Sequence, residues 1–194
     1  MRSIFEQALL SALDQGLPPA ELEIVAVDDG STDRTPSIVQ KFVPQVKYLK
    51  KKNGGQASAF NAAFPQLSGQ VVSLFDGDDC RVKGKLSPLI DALEQNPKIS
   101  AAAAAFYEVE EATRDTQICV PQETKEVHLG TQVAAHETTL YWVFLRTSTI
   151  TTRRETLIEV VPIPKALIYG RVGRSVWVAA GAGLGSGETA GPGV

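Results

Sequence analysis

The stretch "EIVAVDDGSTDRT", Glu23 to Thr35, decides the fold. It opens as a short, mostly apolar run from Leu22 to Val27, the pattern of a strand covered on both faces. It then breaks into two adjacent carboxylates, Asp28 and Asp29, a glycine and small polar residues. Neighbouring anions repel, so the pair either serves a ligand or is a solvated turn, for which Asp-Asp-Gly-Ser is suited. Thr35 then caps a helix that carries Pro36 in its first turn.

Working outward, the same alternation recurs. Ile4, Phe5, Ala8, Leu9, Ala12 and Leu13 form one helical face, with Ser3 and Glu6 as a capping box and Gly16 as its stop. "VKYLKK" (46–51) alternates like a strand nearer an edge, and "GGQASAFNAAF" (54–64) reads as a helix. "QVVSLFD" (70–76) is a buried strand, "KLSPLIDALEQN" (85–96) a helix ended by Pro97, and 104–110 a further strand. Strand and helix in turn imply a mainly parallel α/β sheet with helices on both faces. Right-handed crossovers then place the carboxyl ends of its strands on one edge, where open α/β sheets bind ligands. Asp28 and Asp29 end one strand and Asp76, Asp78 and Asp79 follow another, so both acidic groups should open onto that edge.

Composition narrows the class. The chain has 194 residues, 43% hydrophobic and 21% charged, enough for one domain with a core. A net charge of -3 gives no reason to expect a nucleic-acid partner, and Lys50, Lys51 and Lys52 read as a solvated strand end. Cys80 and Cys119 fit no metal spacing and are expected as reduced thiols in a cytosolic setting. The start of the chain carries Glu6 and Asp14 within its apolar pattern, unlike a signal peptide. No apolar run reaches the roughly 18 residues of a membrane span, which leaves peripheral attachment open. Residues 111–140 are polar and suggest loops; 139–161 hold an aromatic run, a turn and a helix from about Thr152. From Gly170 onward the chain holds eight of its 16 glycines without a period, so 169–194 is expected to be a disordered tail.

In "LFDGDDC" (74–80), three carboxylates within four residues raise one another's pKa unless paired. A hard cation resolves the repulsion, and Mg²⁺ or Mn²⁺ suits carboxylate oxygens. Such an ion usually completes its shell with water and phosphates, which points to a di- or triphosphate ligand. Asp28 and Asp29 are acceptors suited to a base or to ribose hydroxyls. Asn53, Gly54 and Gly55 open a helix whose free N–H groups and dipole favour an anion.

The ordered segments "EIVAVDDGSTDRT", "NGGQASAFNAAF" and "GQVVSLFDGDD" together resemble the family 2 glycosyltransferases, over about residues 3–168. The resemblance implies a GT-A (Rossmann-like) nucleotide-binding domain over 1–168 and a nucleotide-diphosphate sugar donor. It implies transfer of the sugar to a hydroxyl acceptor, whether saccharide, lipid-linked or protein, at the cytoplasmic side or the inner face of a membrane. Asp28 and Asp29 would lie at the nucleotide, with Asp29 holding its base. Asn53, Gly54, Gly55 and Asn61 would lie beside it. Asp76 and Asp78 match an Asp-x-Asp motif, Asp76 facing the nucleotide and Asp78 the Mg²⁺ or Mn²⁺, with Asp79 a further ligand. "TSTITTRRETL" (147–157) resembles the acceptor-side segment.

Three departures stand against that pattern. The hydrophobic strand that usually precedes the first helix is missing, so the sheet should lose a central strand and expose its neighbours' backbone. "CRVKGKL" (80–86) replaces an aromatic and a proline. No carboxylate stands after "PIPKALIY" (162–169), where such enzymes place their general base; Glu137 and His136 are the nearest alternatives. The shift to Gly, Ala and Val near Gly170 fits a change of reading frame, which sequencing the locus would test. An inactive remnant that binds nucleotide or a partner is therefore the alternative to a working transferase. A phosphotransferase fits less well, because Asp79-Cys80 lacks the threonine that chemistry wants.

Overall fold

Ser3 starts the first helix: its hydroxyl accepts the Glu6 N–H at 3.1 Å, so α1 (Ile4–Leu13) begins at the capping box. The computed structural model describes residues 3–109, 116–119, 147–163 and 176–182. Along it follow β1 (Leu22–Asp28), α2 (Thr35–Val39), β2 (Val46–Lys50), α3 (Gln56–Ala63), β3 (Val71–Asp76) and α4 (Leu86–Gln95). Then come β4 (Ala101–Ala103), β5 (Phe106–Val109), β6 (Thr116–Cys119), β7 (Ile150–Arg153), α5 (Arg154–Val160) and β8 (Val176–Ala182).

Six strands form one sheet in the order β2-β1-β8-β3-β7-β4, and β5 pairs with β6 apart from it. β1 is parallel to β2, while β8 is antiparallel to both β1 and β3, and β7 to both β3 and β4. β1 to β4 therefore all run one way, as the alternation of strand and helix requires, and two reversed strands are laid between them. β2 sits at an edge as its alternation implies.

The two faces of β1 show why Ile24 to Val27 are apolar without a break. Ile24 and Ala26 pack with Phe5, Leu9 and Ala12 of α1, whereas Val25 and Val27 pack with Ala59, Phe60 and Ala63 of α3. Helices on both faces bury every position of the strand from Ile24 to Asp28. A third cluster joins Val71 to Leu86, Ile90 and Leu93 of α4.

Two expectations change here. The central position is not lost: β8 lies between β1 and β3, pairing Leu22–Asp28 with Ala182–Val176 and Val71–Asp76 with Ala182–Trp177. For Val176–Ala182 the expected disordered tail is replaced by a strand. The reason is the seam itself, since two neighbouring strands with unpaired backbone groups are costly unless a third chain segment pairs with both. The rest of that tail, the 168/169 boundary, Glu137 and His136 lie outside the described residues.

Candidate active site at the carboxyl edge of the sheet

Because β1 and β3 run the same way, Asp28 and Asp76 end on one edge, and the first residues of β8 lie between them: Val176 opposite Asp28, Trp177 opposite Asp76. The two acidic groups are thus brought together as expected. Their roles divide differently.

Asp28 is fully buried. Its Oδ1 accepts the Ser31 N–H at 2.6 Å and its Oδ2 the Tyr48 hydroxyl at 2.5 Å, with the Lys50 ammonium at 4.0 Å. Burial alone would raise its pKa; the bonds from Tyr48 and Ser31 outweigh this and hold it below the usual carboxylate value. Asp29 is also buried, and its Oδ1 accepts Lys51 Nζ at 2.5 Å and Gly54 N–H at 3.0 Å, its Oδ2 Gly55 N–H at 2.7 Å. The helix start at Asn53–Gly55 therefore already has its anion, supplied by Asp29. Gly30 makes the approach possible: its φ is +91°, and a Cβ there would lie 3.0 Å from the Asn53 nitrogen. Asp28 and Asp29 are spent on the turn and on the 51–55 loop, which they hold in place beside the edge. Asp29→Ala leaves two loop N–H groups without their acceptor and the Lys51 ammonium without its counter-ion, and should cost about 3 kcal/mol. Urea melts check the size, and faster amide exchange at Gly54 and Gly55 checks the cause.

Asp76 is the group left wanting. Its Oδ1 is buried and has no hydrogen-bond partner among the described residues. Burial, then the charges of Asp79 and Asp78, push its pKa up to about 7, against a smaller lowering from a Gln56 hydrogen bond and Arg81. Asp78 and Asp79 are exposed, on a turn closed by Asp79 N–H to the Asp76 carbonyl at 3.2 Å. Asn61 does not join them: its amide donates to the Ile163 carbonyl at 3.0 Å and accepts the Ile163 N–H at 2.7 Å, tying α3 to the chain beyond α5. Asn53 is exposed at the loop.

Residues that the acidic motifs do not reveal complete the surroundings. Gln56 reaches from α3 to Thr147 Oγ1 at 3.2 Å, and Ser148 Oγ accepts the Asp76 N–H at 2.9 Å. Lys85 Nζ donates to the Ser148 carbonyl at 3.0 Å, its pKa drawn down to about 8 by burial and by Arg81. Arg81 is buried over the Phe75 ring and donates to the Leu74 carbonyl at 2.6 Å. The cations of "CRVKGKL" were the available signal, because charge near a carboxylate cluster is seldom idle.

No group of three metal-ligating side chains converges among the described residues. The donor set still suits a hard cation whose shell is finished by water and phosphate: oxygens only, with one unpartnered buried carboxylate oxygen and two exposed carboxylates beside it.

The sequence profile of Glycosyl transferase family 2 matches residues 2–153. The chain belongs to that family. A glycosyltransferase of Nostoc is 29% identical over 150 residues, 74% of this chain and 45% of its own length. A beta-monoglucosyldiacylglycerol synthase of Synechocystis is 31% identical over 121 residues, 53% of this chain and 25% of its own length. This family 2 domain thus spans less than half the length of either. The crystal structure of S. aureus TarS superposes with a TM-score of 0.59 at 23% identity, covering 86% of this chain and 29% of that one. That likeness is one of fold, and the fold is GT-A. Among the described residues of the domain no helix is long and apolar enough to cross a membrane.

Proposed function

We propose that this domain takes a nucleotide-diphosphate sugar at the Asp76–Asp79 edge and passes the sugar to a hydroxyl acceptor with the help of Mg²⁺ or Mn²⁺. The observation that carries the reading is the buried, unpartnered Oδ1 of Asp76 beside the exposed Asp78 and Asp79. Carboxylates so placed are satisfied by a cation and are unfavourable without one. Asp78, with Asp76 and Asp79, would hold the metal, whose chemistry is to offset charge on the departing diphosphate. The protein's own part is positioning: the turn 147–149 fixes the Asp76 backbone through Ser148, Asp29 fixes the 51–55 loop, and Gln56 links loop to turn. The nucleotide would lie along that loop, near Asn53. Acceptors of saccharide, lipid-linked or protein type are all open; the glycolipid-synthase name of the Synechocystis relative favours a lipid one.

The test is a thermal melt of the chain with Mn²⁺ and four nucleoside diphosphates in turn. A ligand at 100 times its Kd adds about 2.7 kcal/mol. One diphosphate should raise Tm in the presence of metal, and Asp78→Ala should abolish the rise without lowering the unliganded melt. A melt that no diphosphate moves sinks the reading.

A second reading, a folded domain without transfer activity, has its own support: Asp28 and Asp29 are already occupied by the protein's own donors. Transfer of labelled sugar decides between the two.

A further inference from the structure

We propose that Lys85 is a further donor-site residue, whose ammonium meets the terminal phosphate of the nucleoside diphosphate. This rests on the donor reading above and assigns a contact within it. The argument begins with charge. Asp76, Asp78 and Asp79 bring three carboxylates to one strand end, and a diphosphate brought there adds further negative charge. One divalent ion does not neutralise that sum, so a second cation with donors to spare is needed beside it.

Among the described residues, Arg81 and Lys85 are the cations within electrostatic reach of Asp76 and Asp79, while Lys50 and Lys51 sit beside Asp28 and Asp29. Lys51 is held by Asp29 and by the Lys52 carbonyl. Arg81 is buried, stacked on Phe75 and bonded to the Leu74 carbonyl. Lys85 differs: one hydrogen bond, to the Ser148 carbonyl, is formed by an ammonium with three donors, and its side chain is partly exposed. Its place is also set. Ser148 presents its carbonyl to Lys85 and its hydroxyl to the Asp76 N–H, so the ammonium stands one residue away from the Asp76 backbone, within electrostatic reach of Asp79. It reaches this point because Lys85 immediately precedes α4, which packs through Leu86, Leu89, Ile90 and Leu93. A lysine tethered by one carbonyl, partly exposed and within electrostatic reach of Asp79, has donors left for a phosphate.

Lys85→Gln keeps a donor for Ser148 and removes the charge; Lys85→Arg keeps the charge. Binding of the diphosphate that raises Tm, with Mn²⁺, is compared by calorimetry with binding of the monophosphate of the same base. The diphosphate should bind Lys85→Gln about tenfold more weakly, the monophosphate should change less than twofold, and Lys85→Arg should recover most of the loss. Equal weakening of both nucleotides means a merely structural role, and no weakening means no contact; either overturns the assignment while the donor reading stands. No binding to the unaltered chain overturns both. Should Lys85→Gln lose its cooperative melt, acetylation of the unaltered chain followed by mass spectrometry gives the same decision. The diphosphate with Mn²⁺ should protect Lys85, the monophosphate should not, and equal labelling in all states overturns the contact.

Discussion

Ala179→Pro should cost on the order of 3 kcal/mol or more, out of the ~5–15 kcal/mol that holds a domain of this kind together. Ala179 is the middle residue of β8 and pairs with Val25 on one side and Leu74 on the other. Every N–H of a strand with neighbours on both sides points into a ladder, so proline at its centre removes one bond whichever neighbour held it. It also leaves a buried carbonyl without its donor, and its ring disturbs the pairing on both seams. The consequence is wider than one strand. β1 carries Asp28 and β3 carries Asp76, and β8 is the segment through which the two are joined. The variant should therefore lose protection from hydrogen exchange along both β1 and β3, and lose the cooperative melt at a lower urea concentration. Unchanged exchange in both strands would show that the sheet holds without Val176–Ala182.

That strand also marks the limit of what the chain discloses locally. β1, β2 and β3 are legible because their own apolar patterns answer to helices that lie beside them in sequence, and α1 is legible from Ser3 and Glu6. β8 has partners far away in the chain, at Leu22–Asp28 and Val71–Asp76, and its own residues, "VWVAAGA", sit among glycines. What makes it a strand is the unpaired backbone of two other strands, which no window around residue 179 contains. The site shows the same division. That Asp28 and Asp76 share an edge follows from alternation and handedness. Which way the side chains face does not: Asp29 turns to the N–H groups of Gly54 and Gly55, and Asn61 to the backbone of Ile163, partners supplied by segments distant in the sequence. Asp76 has no such neighbour for Oδ1, and in that lack it differs from the others.

Asp76→Asn should accordingly stabilise the metal-free protein at pH 8 and abolish its function. Asp76 has its pKa raised from 3.8 to about 7, chiefly by burial and then by Asp79 and Asp78. Between those two values the folded state binds more protons than the unfolded chain, so stability falls as pH rises, and above about pH 7 the loss is complete. The full shift corresponds to about 4 kcal/mol, and partial exposure of the side chain reduces the expected gain to roughly 2 kcal/mol. In EDTA, then, Asp76→Asn should gain about that much over the parent at pH 8 and almost nothing near pH 4. With Mn²⁺ and the diphosphate present the order should reverse, because the charge that destabilises the empty site is the one a cation requires. Sugar transfer, where the parent shows it, should fall by a factor of about 100 or more. A variant that is less stable than the parent at pH 8 as well as at pH 4 would mean that Asp76 is held by the fold for its own sake. The expected crossing would mean instead that the domain keeps an unfavourable carboxylate at the end of β3 because a bound cation makes it favourable.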